Sequence, residues 1–341
     1  MDFGLFDQLE HPGDSTPISQ LYREHIALAQ HVEAAGFIRY FKSEHHMVPL
    51  DAAPSINLYL AALSQQTTTL RLCSLVHLLP FYEPFRLFEE LCMLDHLSDG
   101  RLEIGFGRGV SPAEHLLWGI DRDEASDRAD EALDIILSAM RQASEADGLG
   151  SRFSYQGRFW SYDSVPLEIN PVQAPHPRLW RPGTPTTAAE MGVSTIVPVP
   201  TARVEAAIAS FRSAAQPGVD PSRTPLLPVM RRIFIGETDA AALDRGASAW
   251  KAFNRHLTKL MREHDLWATH DPSFGGDFEE ALGSGSVVVG SAESVGAELQ
   301  DLAAVPGVDE MVICASWGDL SAREYMDSVE RFCSVIQPAL A

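Results

Sequence analysis

Residues Ser43-Glu44-His45-His46 place a carboxylate and two imidazoles in consecutive positions behind an apolar-aromatic run, 37 to 41. Such side chains can ligate a metal or move protons near neutral pH. Geometry separates the two uses. On an extended chain adjacent side chains point to opposite faces, so His45 and His46 do not converge on one ion. A helical zinc motif needs histidines four apart, and that spacing is absent here. No metal site is expected. One histidine is left for a pocket, and the other packs or meets solvent.

A second candidate is Gly105-Phe106-Gly107-Arg108-Gly109. Its G-x-G-x-G spacing is not the dinucleotide fingerprint, Val110-Ser111-Pro112 does not read as a direct helix start, and no acidic residue ends a strand about 20 residues on. Gly105 and Gly107 remove side chains from one face of a strand end, where a flat ring could approach the backbone. Arg108 offers a fork for a phosphate. Phe6, Phe81, Tyr82, Trp118, Trp180 and Trp317 fall near presumed strand ends, several beside Pro or Gly, and are expected to line a pocket.

The elements that must position these residues alternate a short apolar strand with an amphipathic helix. Strands are expected at 2–7, 37–42, 70–80, 101–109, 178–183, 195–199, 226–235 and 310–315, with helices between them and a last helix over 321–336. Eight such units with right-handed crossovers read as one (β/α)8 TIM barrel spanning 1–341. The rhythm breaks twice. Alternation about Gln156-Gly157 predicts a β-hairpin excursion after helix 4. The aperiodic stretch 263–290 reads as a lid-like insertion between strands 7 and 8. In this frame the histidine pair ends the second strand, on the face where barrel sites form.

The bulk numbers narrow the function classes. A formal charge of −21 over 341 residues argues against a nucleic-acid partner. Cys73, Cys92, Cys314 and Cys333 form no C-x-x-C and read as buried thiols of a reducing compartment. No basic-then-apolar leader opens the sequence and no apolar run reaches membrane length, so a cytoplasmic protein with no membrane partner is expected.

Taken together, "SEHH", "LLPFYEPFRLFEELCMLDHLSDGRLEIGFGRG", "NPVQAPHPRLWRPG" and "VVVGSAESV" resemble the luciferase-like flavin-dependent monooxygenase family, related to bacterial luciferase. The resemblance runs over essentially the whole chain, and the block 78–109 is its most specific part. It implies a barrel binding reduced FMN at the strand C-termini, with the reduced flavin supplied by a partner flavin reductase. O2 and a small organic substrate then react there, and a homodimer is implied. The family's catalytic histidine falls on His45, as a base or hydrogen-bond donor controlling protonation during oxygen activation. Arg108 and Arg128 match phosphate-binding arginines, and Thr184 matches a phosphate-contacting hydroxyl beside the Gly183 backbone. Leu75-Val76 matches a bulged non-prolyl cis peptide under the flavin ring, with Gly107 nearby.

Gly107 stands where bacterial luciferase carries a reactive cysteine, so its flavin reactivity is not carried over. His77, just past the flavin shelf, is expected to face substrate. Three other readings stay open on the sequence: an F420-dependent hydride-transfer enzyme on the same barrel, a flavin-binding protein without turnover, and, more distantly, a metal-dependent barrel hydrolase.

Overall fold

The structure, a computed structural model, describes residues 1–13, 16–215, 224–266 and 276–340. Eleven strands lie among them: β1 (Asp2–Asp7), β2 (Arg39–Lys42), β3 (Arg71–Ser74), β4 (His77–Leu78), β5 (Leu102–Gly107), β6 (Arg152–Gln156), β7 (Ser161–Pro166), β8 (Arg178–Trp180), β9 (Val229–Ile235), β10 (Val287–Gly290) and β11 (Glu310–Cys314).

Parallel pairing runs β11-β1-β2-β3-β5-β8, and β9 pairs in parallel with β11. The gap between β8 and β9 is bridged by residues 194 to 197. Trp180 pairs with Ser194 and Val197 with Val229, both in parallel. Ser194 N donates to Leu179 O at 2.9 Å, and Val197 N to Pro228 O at 2.9 Å. The ring therefore closes with eight parallel positions, the barrel that the strand-helix alternation predicts. Its sixth position is reduced to single bridges, because Pro198 and Pro200 have no N–H to extend a ladder.

Side chains alternate between two apolar layers, as the period of a strand requires. Phe3, Leu5, Leu72, Leu102 and Ile104 pack outward under the helices, whereas Phe6, Phe41, Cys73, Trp180, Phe234 and Cys314 fill the barrel. The barrel floor is charged. Arg39 pairs with Glu103 and Glu310, Glu103 also takes Arg71, and Trp180 Nε1 donates to Glu103 at 2.7 Å.

The hairpin excursion is present as antiparallel β6-β7, after the helix Ala125–Ala143. Two expectations fail. Within the stretch read as aperiodic, Phe278–Gly283 is helical and β10 pairs with the C-terminal half of β9; a β-branched run of three valines was masked by its Gly- and Asp-bearing surroundings. The rest of that segment, 267–275, lies outside the described residues. Val110-Ser111-Pro112 does open a helix, Pro112–Trp118. Ser111 caps it by accepting from Glu114 N, and proline is tolerated at the first helical position.

Candidate active site

Above the C-terminal ends of the strands is a cavity of about 710 Å³. Its walls come from seven barrel positions: Phe6, Glu44 and His45, Leu75 and Val76, Phe106 to Val110, Arg181 to Gly183, Ile196 and Met230. The helix Pro112–Trp118 adds Glu114, and the first turns of Ala125–Ala143 add Ser126, Ala129 and Asp130.

The shelf of this cavity is built by β3 and β5 together. The Leu75–Val76 peptide is cis and not prolyl. Val76 turns toward β5, where Gly105 and Gly107 stand. An ideal Cβ on Gly105 would lie 2.1 Å from the Ser74 carbonyl oxygen, and one on Gly107 2.8 Å from Val76 Cγ2. The glycines thus make room for the Ser74–Val76 bulge, where the sequence suggested room for a flat ring. Ser74 Oγ locks the bulge by accepting from Gly105 N at 2.8 Å.

β2 ends at Lys42, so the two histidines separate in a loop and not by strand alternation. His46 is held by Glu44, Nε2 to Oε1 at 2.8 Å, and its ring packs edge-on against Trp118 and Phe81. Glu44 also accepts from Tyr82 Oη at 2.8 Å and from Leu78 N at 3.3 Å. His45 faces the cavity with 21 % of its side chain exposed, and Glu114 Oε1 lies 3.8 Å from its Nδ1. Burial, reinforced by the Lys42 and His46 charges, pushes the His45 ring down to about 3, so it is neutral at pH 7. Burial opposes charge on His46 as well, but the Glu44 carboxylate outweighs it and raises that ring. Glu114 is 2 % exposed; burial and the Glu44 and Asp51 charges push its carboxyl up to about 7 against the pull of His46. Asp51, buried against Lys42 at 2.5 Å, is likewise raised to about 7, chiefly by burial.

Of the residues singled out in the sequence, His45, Leu75, Val76, Gly107, Arg108 and Gly183 line one cavity. Arg128 and Thr184 do not. The Arg128 guanidinium lies 4.3 Å over the Phe159 ring and 3.4 Å from Glu124, turned toward the hairpin. Thr184 caps the short helix Pro185–Glu190, accepting from Thr187 N. His77 is buried behind the shelf, its Nε2 2.8 Å from Asn57 Oδ1, and does not reach the cavity. Of the six aromatics expected from the sequence to line a pocket, Phe6 lines this cavity; Trp180 and Trp317 are core, and Phe81 stacks on Trp118.

Glu114, Ser126, Arg181 and Met230 are among the lining residues that the sequence did not single out. Glu114 had a signal, since Ser111-x-x-Glu114 is a capping-box pattern. Its carboxylate leaves the cap, however, and accepts from His46 N at 2.7 Å. Among the described residues, no three His, Cys, Asp or Glu side chains are arranged to hold a metal ion.

The donor set suits a flat, phosphate-bearing cofactor. Leu75, Val76, Leu78 and Phe106 give an apolar wall. Among the described residues, Arg108 reaches only Ser126 Oγ, at 3.5 Å, and Arg181 only the Met191 sulfur, so both guanidinium groups retain donors for an anion. Asp130 lies on the same wall and opposes that charge.

Comparison with known proteins agrees with this geometry. The family model for luciferase-like monooxygenases matches residues 1–310. A Sinorhizobium fredii protein, y4wF, is 35 % identical over 93 % of this chain and 91 % of its own. The oxygenase component of a flavin-dependent trigonelline monooxygenase from Acinetobacter baylyi is 26 % identical over 100 % of this chain and 96 % of its own. Among solved structures, the oxygenating constituent of 3,6-diketocamphane monooxygenase from Pseudomonas putida, a complex with FMN, superposes with a TM-score of 0.76 at 20 % identity, over 99 % of this chain and 98 % of that one.

Proposed function

The chain belongs to the luciferase-like monooxygenase family and is a flavin-dependent monooxygenase, and we propose that it uses reduced FMN in the 710 Å³ cavity to oxygenate a small organic substrate. The observation that carries the reading is the convergence of His45, the Leu75–Val76 shelf and the under-used Arg108 on one cavity at the strand C-termini. Reduced flavin, when bound, would supply the two electrons with which O2 is activated, one oxygen atom going to the substrate and the other leaving as water.

The protein's own residues bind, orient and manage protons. Val76 and its apolar neighbours carry one face of the ring and exclude water from it. Arg108, Arg181 and Ser126 hold the phosphate, with the Gly183 backbone beside them. Arg128 and Thr184 belong to this end only if their side chains turn from Phe159 and Thr187. The His45 ring, neutral at pH 7, can accept a proton at one nitrogen while donating from the other.

The relative named as an oxygenase component supports a separate flavin reductase as partner. No helix among the described residues is long and apolar enough to cross a membrane, which fits the cytoplasm as location. Exposed Leu58, Met93 and Leu97, on helices Ile56–Ser64 and Pro84–Leu97, offer apolar surface for a homodimer. Purified protein with FMN, NADH and a generic flavin reductase, screened against small organic substrates, should give substrate-dependent O2 uptake and products heavier by one oxygen. Turnover supported by F420 and not by FMN would replace this reading with hydride transfer.

A further inference from the structure

The cavity holds an ionisable group that the family comparison does not supply. His45 is neutral at pH 7 and has no protein hydrogen bond to either ring nitrogen among the described residues. A neutral imidazole can relay a proton, but a relay needs a source. Glu114 lines the same cavity, its Oε1 3.8 Å from His45 Nδ1. Its position is fixed twice, by the Ser111 cap on its own amide and by the His46 amide donating to Oε1 at 2.7 Å.

We propose that Glu114 is the proton source of the site: its carboxylic acid passes a proton to His45 Nδ1 as His45 Nε2–H releases one to the atom bound before it. The inference rests on His45 facing the reacting atoms. Protons balance: Glu114 becomes a carboxylate, His45 changes tautomer and stays neutral, the bound atom gains one proton, and solvent exchange later returns one proton to Glu114 and moves the His45 proton from Nδ1 back to Nε2. A modest side-chain rotation closes 3.8 Å to bonding distance once the cavity is filled, as such contacts commonly tighten on binding.

The surroundings favour an acid over a carboxylate at this position. Glu44 faces it with negative charge from the β2 side, and Asp51 adds to that when ionised; His46 opposes them, and Lys42 is spent on Asp51 at 2.5 Å. The helix Lys259–Glu263 also packs on Pro112–Trp118; there Lys259 pairs with Glu263, and Arg262 donates to the Arg255 carbonyl. None of these cations neutralises Glu114 directly.

The test combines difference infrared spectroscopy of the protein without cofactor, wild type against Glu114→Gln, with kinetics of both and of Glu114→Asp. The expected result is a protonated-carboxyl band at pH 6 that is missing in Glu114→Gln and titrates away near pH 7. Glu114→Gln should lose at least tenfold in turnover and the alkaline limb of its pH profile, keep its FMN affinity within threefold, and be partly rescued by Glu114→Asp. A Glu114 already ionised at pH 6, or a Glu114→Gln variant with wild-type turnover and pH profile, overturns the proposal. The infrared result is independent of flavin chemistry, so a wild type inactive with reduced FMN would count against the monooxygenase reading and not against the protonation state of Glu114.

Discussion

Val76 stands where a β-carbon on Gly107 would have to go: a Cβ built there would lie 2.8 Å from Val76 Cγ2, and one on Gly105 would strike the Ser74 carbonyl oxygen at 2.1 Å. The floor of the cavity is therefore a two-strand construction, in which β3 bulges only because β5 has no side chain at two alternate positions. Gly105→Ala should destabilise the protein by about 3 kcal/mol or more, because its clash is with backbone. Gly107→Ala meets only a valine methyl, and about 1–2 kcal/mol is expected. Urea unfolding of both variants checks the order.

The two arginines read alike in the sequence should behave differently. Arg108→Ala removes a cavity guanidinium with spare donors and should weaken reduced-FMN binding by about 10- to 100-fold. Arg128→Ala should change FMN affinity less than threefold and cost about 0.5–1 kcal/mol of stability through the lost stacking on Phe159. Fluorescence titration and urea unfolding separate the two outcomes.

Much of the architecture was legible because period-2 and period-3.6 patterns survive in single segments such as 2–7 and 125–143. The sixth barrel position was legible as apolar residues, but its reduction to bridges at Ser194 and Val197 depends on partners far along the chain. Site residues followed the same division. His45, Arg108 and the Leu75-Val76 pair sit at strand ends that pattern and family resemblance locate. Glu114 and Met230 reach the cavity through the packing of a helix and a strand, and nothing local announces the stacking of Arg128 on Phe159.

Acid should remove a specific stabilisation. Asp7 is fully buried, and attraction to His25 with hydrogen bonds from His25, Tyr40 and Leu9 N outweighs burial to hold its carboxyl at about 2, against an ordinary 3.8. A carboxyl depressed on folding stabilises above its unfolded value, and that contribution fades as pH falls from about 4 through about 2. The difference is worth about 2 kcal/mol. The stability gap between wild type and Asp7→Asn, from unfolding curves at successive pH values, should shrink over that window.

Glu114 carries the opposite sign. A carboxyl raised on folding favours the native state below its unfolded value of 4.5, and the advantage is lost as pH rises through about 7. Glu114→Gln should therefore gain stability relative to wild type between pH 5 and pH 8, by up to about 3 kcal/mol. A gap that does not change with pH would show that the group is ionised throughout.

His45→Ala should cut turnover by about 100-fold or more and leave reduced-FMN affinity within a few-fold, because the ring faces the cavity yet bonds nothing that shapes it. Unchanged turnover would remove His45 from the chemistry.

The most direct test is an anaerobic titration of reduced FMN, and separately of reduced F420, against the tryptophan fluorescence of wild type and Arg108→Ala. Saturable binding of reduced FMN to wild type, weakened in Arg108→Ala, with no comparable binding of F420, is the predicted result. Failure of reduced FMN to bind, or tighter binding of F420, would contradict the assignment of this cavity to FMN.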